Sequence, residues 1–144
     1  MPTGVHRKIK AAMAGELPSL IARLPSGWVV AGDTQPLKGY CVLLADPVAQ
    51  DFNALDEKLR ARYAVDMGRV DDALIKVVGA YRVNYETWGN LDPALHTHIV
   101  PRFLSEPQGL RVQPPRAAYD WNAGRPFALE EDGAWMRAVR ELLK

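Results

Sequence analysis

The sequence predicts an antiparallel α+β domain, and three patterns carry that prediction. Apolar residues recur every three or four positions over 53–78, the signature of one long amphipathic helix. The period changes to two over "AYRVNYETW" (80–88), as a strand requires. The remaining strand-like segments are joined by short turns rather than by crossover helices, which favours hairpins over a parallel sheet.

Taken in order, residues 5–23 read as a helix, with Val5, Ile9, Leu17, Leu20 and Ile21 near helical spacing and Gly15 and Pro18 weakening or dividing it. "PSG" (25–27) is punctuation. "WVVAGD" (28–33) and "YCVLLA" (40–45) are apolar strand segments that pair as a hairpin across the turn "TQPLKG" (34–39). The long helix follows at about 53–78, with Leu55, Leu59, Tyr63, Met67, Val70, Leu74 and Val77 as its stripe. Asn53 is the candidate N-cap and Gly79 the candidate stop. After the strand at 80–88, "GNLDP" (89–93) is a turn. "ALHTHIV" (94–100) is a further strand, ended by Pro101. The proline- and glycine-bearing stretch 104–129 reads as an extended surface connection, and 130–143 as a closing helix.

With 144 residues, 48% hydrophobic and 24% charged, the chain is expected to form a single domain, 1–144, with its own core. A net charge of +1 supplies no field for holding nucleic acid, so no nucleic-acid binding is expected. No apolar run approaches a membrane span, and the first twenty residues contain no hydrophobic signal core. A cytoplasmic location is the expectation. The single Cys41, inside an apolar run, fits a small buried strand residue in a reduced compartment.

Two of the three histidines fall in "LDPALHTHIVPRF" (91–103). On a strand, His96 and His98 share one face with Cα atoms roughly 6.6–7 Å apart, while Leu95, Thr97 and Ile99 take the core face. Three chemistries compete for the pair. Two structural imidazoles would each need hydrogen-bond partners. A metal chelate would need a third ligand at suitable spacing; the nearest candidates are Asp92, on a turn, and Glu106, past Pro101, and the only other histidine is His6. A neutral imidazole can also attack phosphorus, with Arg102 and turn amides near Gly89 and Asn90 holding phosphate oxygens.

"GNLDPALHTHIVPRF" resembles the signature of the histidine-triad (HIT) superfamily, in which three histidines alternate with apolar residues before a proline–arginine pair. It is similar to bacterial members, resembling HIT-domain hydrolases of the diadenosine tetraphosphate hydrolase type. "LKGYCVLLADP" and the order helix, strand, Gly-Asn turn extend the resemblance over a core of about 27–103, with 104–144 as a C-terminal arm.

The resemblance implies a HIT-like fold: an antiparallel sheet of about five strands, a long helix packed on it, and N- and C-terminal helices. It implies a homodimer that binds nucleoside phosphates or dinucleoside polyphosphates and cleaves at the α-phosphorus, with no metal or other cofactor. By position, His96 falls on the nucleophile, which would pass through a nucleotidyl-histidine, and His98 on the last triad histidine. Gly89 and Asn90 fall on a phosphate-contacting turn, Asn84 and Asp33 near ribose or phosphate contacts, and Arg102 on the final arginine. The sequence departs from the pattern twice: Ala94 occupies the first triad position, and Tyr40 stands where a histidine commonly follows the glycine. Ala94 motivates the alternative, a nucleotide-binding sensor or partner module with little or no catalysis. Trp88, Trp121, Trp135 and Tyr119 are candidates to stack on a base, with core packing the competing role for each. "YDW" (119–121) is a candidate cover for the active site of its own or a neighbouring subunit.

Overall fold

The computed structural model describes residues 2–144. The chain runs α1 (Gly4–Met13), β1 (Leu20–Leu24), β2 (Gly27–Ala31), β3 (Thr34–Gln35), β4 (Cys41–Ala45), α2 (Glu57–Val78), β5 (Arg82–Glu86) and β6 (His96–Arg102). The arm adds α3 (Gln108–Arg111), α4 (Pro115–Ala118), β7 (Arg125–Pro126) and α5 (Leu129–Leu142). Five strands form one antiparallel sheet in the order β1-β2-β4-β6-β5. The α+β class, the five-stranded sheet, the long helix and both terminal helices are as the sequence predicts.

The two faces of the sheet are covered differently. On one, Val29, Ala31, Cys41, Leu43 and Ile99 pack with Tyr63, Val70 and Leu74 of α2 and with Trp135, Met136 and Val139 of α5. On the other, Val30, Val42, Leu44 and Val100 pack with Val5 and Ile9 of α1. Central strand β4 is buried at every position because both of its faces are covered.

Four local expectations are corrected. The helix expected over 5–23 ends at Met13; Gly15 turns the chain at φ +72°, and Leu20–Leu24 becomes an edge strand against β2. The N-cap of α2 is Asp56, whose carboxylate accepts from Leu59 N–H at 2.8 Å, rather than Asn53. Asn53 lies in a separate 3₁₀ turn capped by Asp51. Pro101 does not end its strand: β6 continues to Arg102, because pairing with β4 stops at Ile99 and the missing N–H of Pro101 interrupts no ladder there. The arm is not purely extended; it carries short helices, and β7 returns to pair with β3, which falls inside the predicted 34–39 turn.

Gly79 ends α2 as predicted, at φ +74° in the left-handed region. Among the described residues, no helix is long and apolar enough to cross a membrane.

Candidate active site

Strand β6 delivers His96 and His98 to the α1 face and points Thr97 the other way. Thr97 is fully buried, yet its hydroxyl lies 2.8 Å from the Tyr63 hydroxyl and 2.7 Å from that of Thr87. A one-residue slip would bury two imidazoles and expose Ile99, so these bonds and the apolar face together fix the register.

The partner of each ring sets its tautomer. His96 Nδ1 lies 2.7 Å from the Ala94 carbonyl oxygen, which can only accept, so Nδ1 carries a proton and, in the neutral ring, Nε2 is the free lone pair. A backbone carbonyl thus orients His96, and that carbonyl is present whatever side chain residue 94 carries. His98 Nε2 lies 3.4 Å from Arg116 Nη2, which can only donate. Its proton therefore sits on Nδ1, 2.6 Å from the Tyr40 oxygen. Burial, the Arg116 charge and then His96 lower the His98 pKa to about 3, so the ring is neutral at physiological pH. Burial pushes the Tyr40 phenol up to about 12, keeping it protonated. The two imidazoles stand 5.1 Å apart at 78°, and Tyr40 stacks on His98 at 5.9 Å. Gly32 is required beneath Tyr40, since a Cβ there would sit 2.2 Å from the phenol ring.

A cavity of about 290 Å³ opens in front of both histidines. Its walls are apolar (Val30, Val42, Leu44), with Trp121 from the arm among its lining residues. Polar groups also line it: Lys8 on α1 pairs with Asp33 at 2.6 Å, and Asp92 Oδ2 accepts from Val5 N–H at 3.1 Å. Asp92 Oδ1 is buried with no hydrogen-bond partner among the described residues. A second cavity, about 220 Å³, meets His96 from the side of Phe52, Thr87, Trp88 and Gly89. An apolar slot ending in a few polar groups suits a planar heterocycle with a polar sugar and phosphate.

The structure sorts the predicted residues unevenly. His96, His98 and Asp33 line the main cavity, together with Tyr40. Gly89, at φ +80°, lines the second one; Asn90 is exposed and lines neither. Arg102 and Asn84 line a separate cavity at the β5 edge, away from the histidines. Arg102 is 1% exposed, and every N–H of its fork is taken: by both Glu106 oxygens, Asn84 Oδ1, Gln113 O and Leu110 O. No donor is left over for a phosphate in this arrangement; the guanidinium ties β6 to the arm.

Of the other aromatic candidates, Trp135 packs in the core with its N–H on Asp132, and the Tyr119 hydroxyl donates to Glu106. His6 completes a capping box with Thr3 at the start of α1. Sequence reasoning did not single out Lys8 or Arg116, and it met Asp92 only as a possible metal ligand. Lys8 could have been found as the polar residue beside the buried Val5 and Ile9; Arg116 has no local signal, lying 18 residues from His98 in a proline-bearing arm. Among the described residues, no group of three or more His, Cys, Asp or Glu side chains is placed to hold a metal ion.

A five-stranded antiparallel sheet carrying a His-x-His strand, with one long helix behind it, defines the histidine-triad fold, and this chain has that fold. A histidine triad protein from Bradyrhizobium japonicum superposes with a TM-score of 0.73 at 22% identity, over 88% of this chain and 92% of that one. A histidine triad protein from Sinorhizobium meliloti 1021 gives 0.72 at 20%, over 86% and 88%. A hypothetical histidine triad nucleotide-binding protein from Sulfolobus tokodaii strain7 gives 0.70 at 16%, over 92% and 89%. No protein-family model and no curated protein matches the sequence.

Proposed function

We propose that this chain is a metal-independent nucleotide hydrolase or nucleotidyl transferase of the histidine-triad type, folded as one unit over 1–144 and acting on a dinucleoside polyphosphate or related nucleotide. The observation that carries the reading is the Ala94 carbonyl holding the proton on His96 Nδ1, so that Nε2 is the nucleophilic nitrogen of the neutral ring at the cavity. His96 Nε2 attacks the α-phosphorus; the N–P bond forms as the bond from phosphorus to the leaving oxygen breaks. Water then attacks the nucleotidyl-histidine, releasing a nucleoside monophosphate and restoring the imidazole.

His98, next to the reacting centre, is the group placed to protonate the leaving oxygen; its pKa is lowered first by burial and then by Arg116, and substrate phosphate offsets the second of these. Asp33 accepts from ribose hydroxyls, and the apolar walls take the base. The exposed edge strand β5, with Tyr85 partly open to solvent, supports pairing with a second copy of the chain as a homodimer.

The test is incubation with diadenosine polyphosphates, nucleoside phosphoramidates and adenylyl sulfate, scoring nucleoside monophosphate release. An acid-labile, alkali-stable adduct on His96 is sought by mass spectrometry. Wild type is expected to turn over at least one member of the panel, and His96→Asn to form no adduct and lose at least about 100-fold in rate. No release by wild type from any of them, with His96→Asn indistinguishable, ends the catalytic reading. A second reading, nucleotide binding without turnover, is favoured by the low His98 pKa, which leaves the free protein without a ready proton donor at neutral pH. Tight binding by calorimetry with no product would select it.

A further inference from the structure

Arg116 is placed unlike the other buried or tethered arginines. Arg23, Arg60, Arg69, Arg102, Arg111 and Arg140 each donate to a backbone carbonyl of another stretch of chain, and Arg125 to that of its neighbour Pro126. Arg116 donates to no backbone carbonyl among the described residues. Its Nε is anchored 3.1 Å from Glu86, whose carboxylate is nearly buried on β5 opposite His98. Its guanidinium stands 5.2 Å from the Trp121 ring, and Trp121 meets Tyr40 edge-on at 5.0 Å. Those two supports hold the open end of the fork against His98 Nε2.

At 3.4 Å the contact between Arg116 and the acceptor nitrogen of His98 is a long hydrogen bond, and the same charge opposes protonation of the ring. The arrangement becomes favourable when an anion bridges the two. A planar guanidinium fixed by one carboxylate and one aromatic face, with Nη2 set against His98, which itself lines the main cavity, is suited to phosphate oxygens.

We propose that Arg116, delivered by the C-terminal arm, is a phosphate-binding residue of this site, gripping the substrate's phosphate jointly with His98. This rests on the nucleotide reading above for the identity of the substrate, but the anion grip itself does not. It gives the arm a function: Arg116 contributes the fixed positive charge that neither Arg102 nor a histidine at position 94 supplies here. Charge on the phosphate offsets the Arg116 contribution to the lowered His98 pKa, while the larger contribution, burial, stays in place.

The test uses inorganic pyrophosphate, adenosine monophosphate and adenosine as probes of the full-length wild type, Arg116→Gln and Arg116→Lys. Binding is followed by calorimetry and by the imidazole resonances of His98. Thermal melts within a few degrees of one another establish that all three proteins are folded. Arg116→Gln is expected to lose roughly 10- to 100-fold in affinity for pyrophosphate and the monophosphate, and less than about twofold for adenosine, with Arg116→Lys intermediate. Pyrophosphate should move the His98 resonances in wild type and not in Arg116→Gln. Equal phosphate affinity in wild type and Arg116→Gln overturns the proposal, as does an equal loss for adenosine, which would mark a purely structural role. Arg116-dependent pyrophosphate binding without nucleotide binding would leave the grip standing and remove the nucleotide reading. Failure of wild type to bind any phosphate removes the grip.

Discussion

Replacing Arg102 by methionine separates a structural arginine from a phosphate ligand. The Arg102 and Glu106 side chains are 2% and 5% exposed and joined at 3.0 Å. Removing the guanidinium leaves three acceptors, Asn84 Oδ1, Gln113 O and Leu110 O, without their donor. Glu106 keeps only Phe103 N–H and the Tyr119 hydroxyl, each at 2.7 Å. Breaking one side of a buried ion pair typically costs about 3–5 kcal/mol. For a chain of this size that corresponds to a fall in Tm of roughly 10–15 °C. Burial alone would raise the Glu106 pKa, but hydrogen bonds from Arg102, Tyr119 and Phe103 N–H outweigh it and hold the carboxyl below its ordinary value.

That stabilisation is present above the unfolded carboxylate pKa, near pH 4.3, and is lost as pH falls through the lower folded value. The gap between wild type and Arg102→Met should therefore narrow in acid. Urea denaturation at pH 7 and pH 4 measures it, and adding Glu106→Gln to Arg102→Met should recover part of the loss. An Arg102→Met protein within about 1 kcal/mol of wild type, yet with phosphate affinity abolished, would refute the reasoning and return Arg102 to the phosphate site.

Two further outcomes follow from the same geometry. His98 should show no protonated imidazole signal by NMR at pH 5, where an unperturbed histidine is almost fully charged; because its folded pKa is depressed, it contributes stability above about pH 6.5 that is lost as pH falls toward 3. A normal titration near 6.5 would remove the Arg116–His98 coupling. Ala94→His should destabilise the protein by roughly 1–3 kcal/mol in chemical denaturation, because Ala94 is 0% exposed within the cluster under α1 and the larger ring overpacks it. An equally stable variant would mean that the space for a first triad histidine is still there.

The sequence by itself determined the elements whose signals are local and periodic. The stripe on α2 and the His-x-His alternation follow from side-chain periods of helix and strand, the Gly79 stop from a left-handed cap, and β4 from a short apolar run bounded by turn residues. Those features also put His96 and His98 on one face. Tertiary structure alone decided what surrounds them. Leu20–Leu24 became a strand because β2 offered an open edge, and a helix-like period could not continue past Gly15 and Pro18. Arg102 and Arg116 look alike in sequence, as arginines following prolines by one residue. One is enclosed by the arm with every donor taken, and the other is left facing His98. Which arginine is free to meet a phosphate depends on contacts across 11 to 30 residues of chain, and no local pattern encodes those.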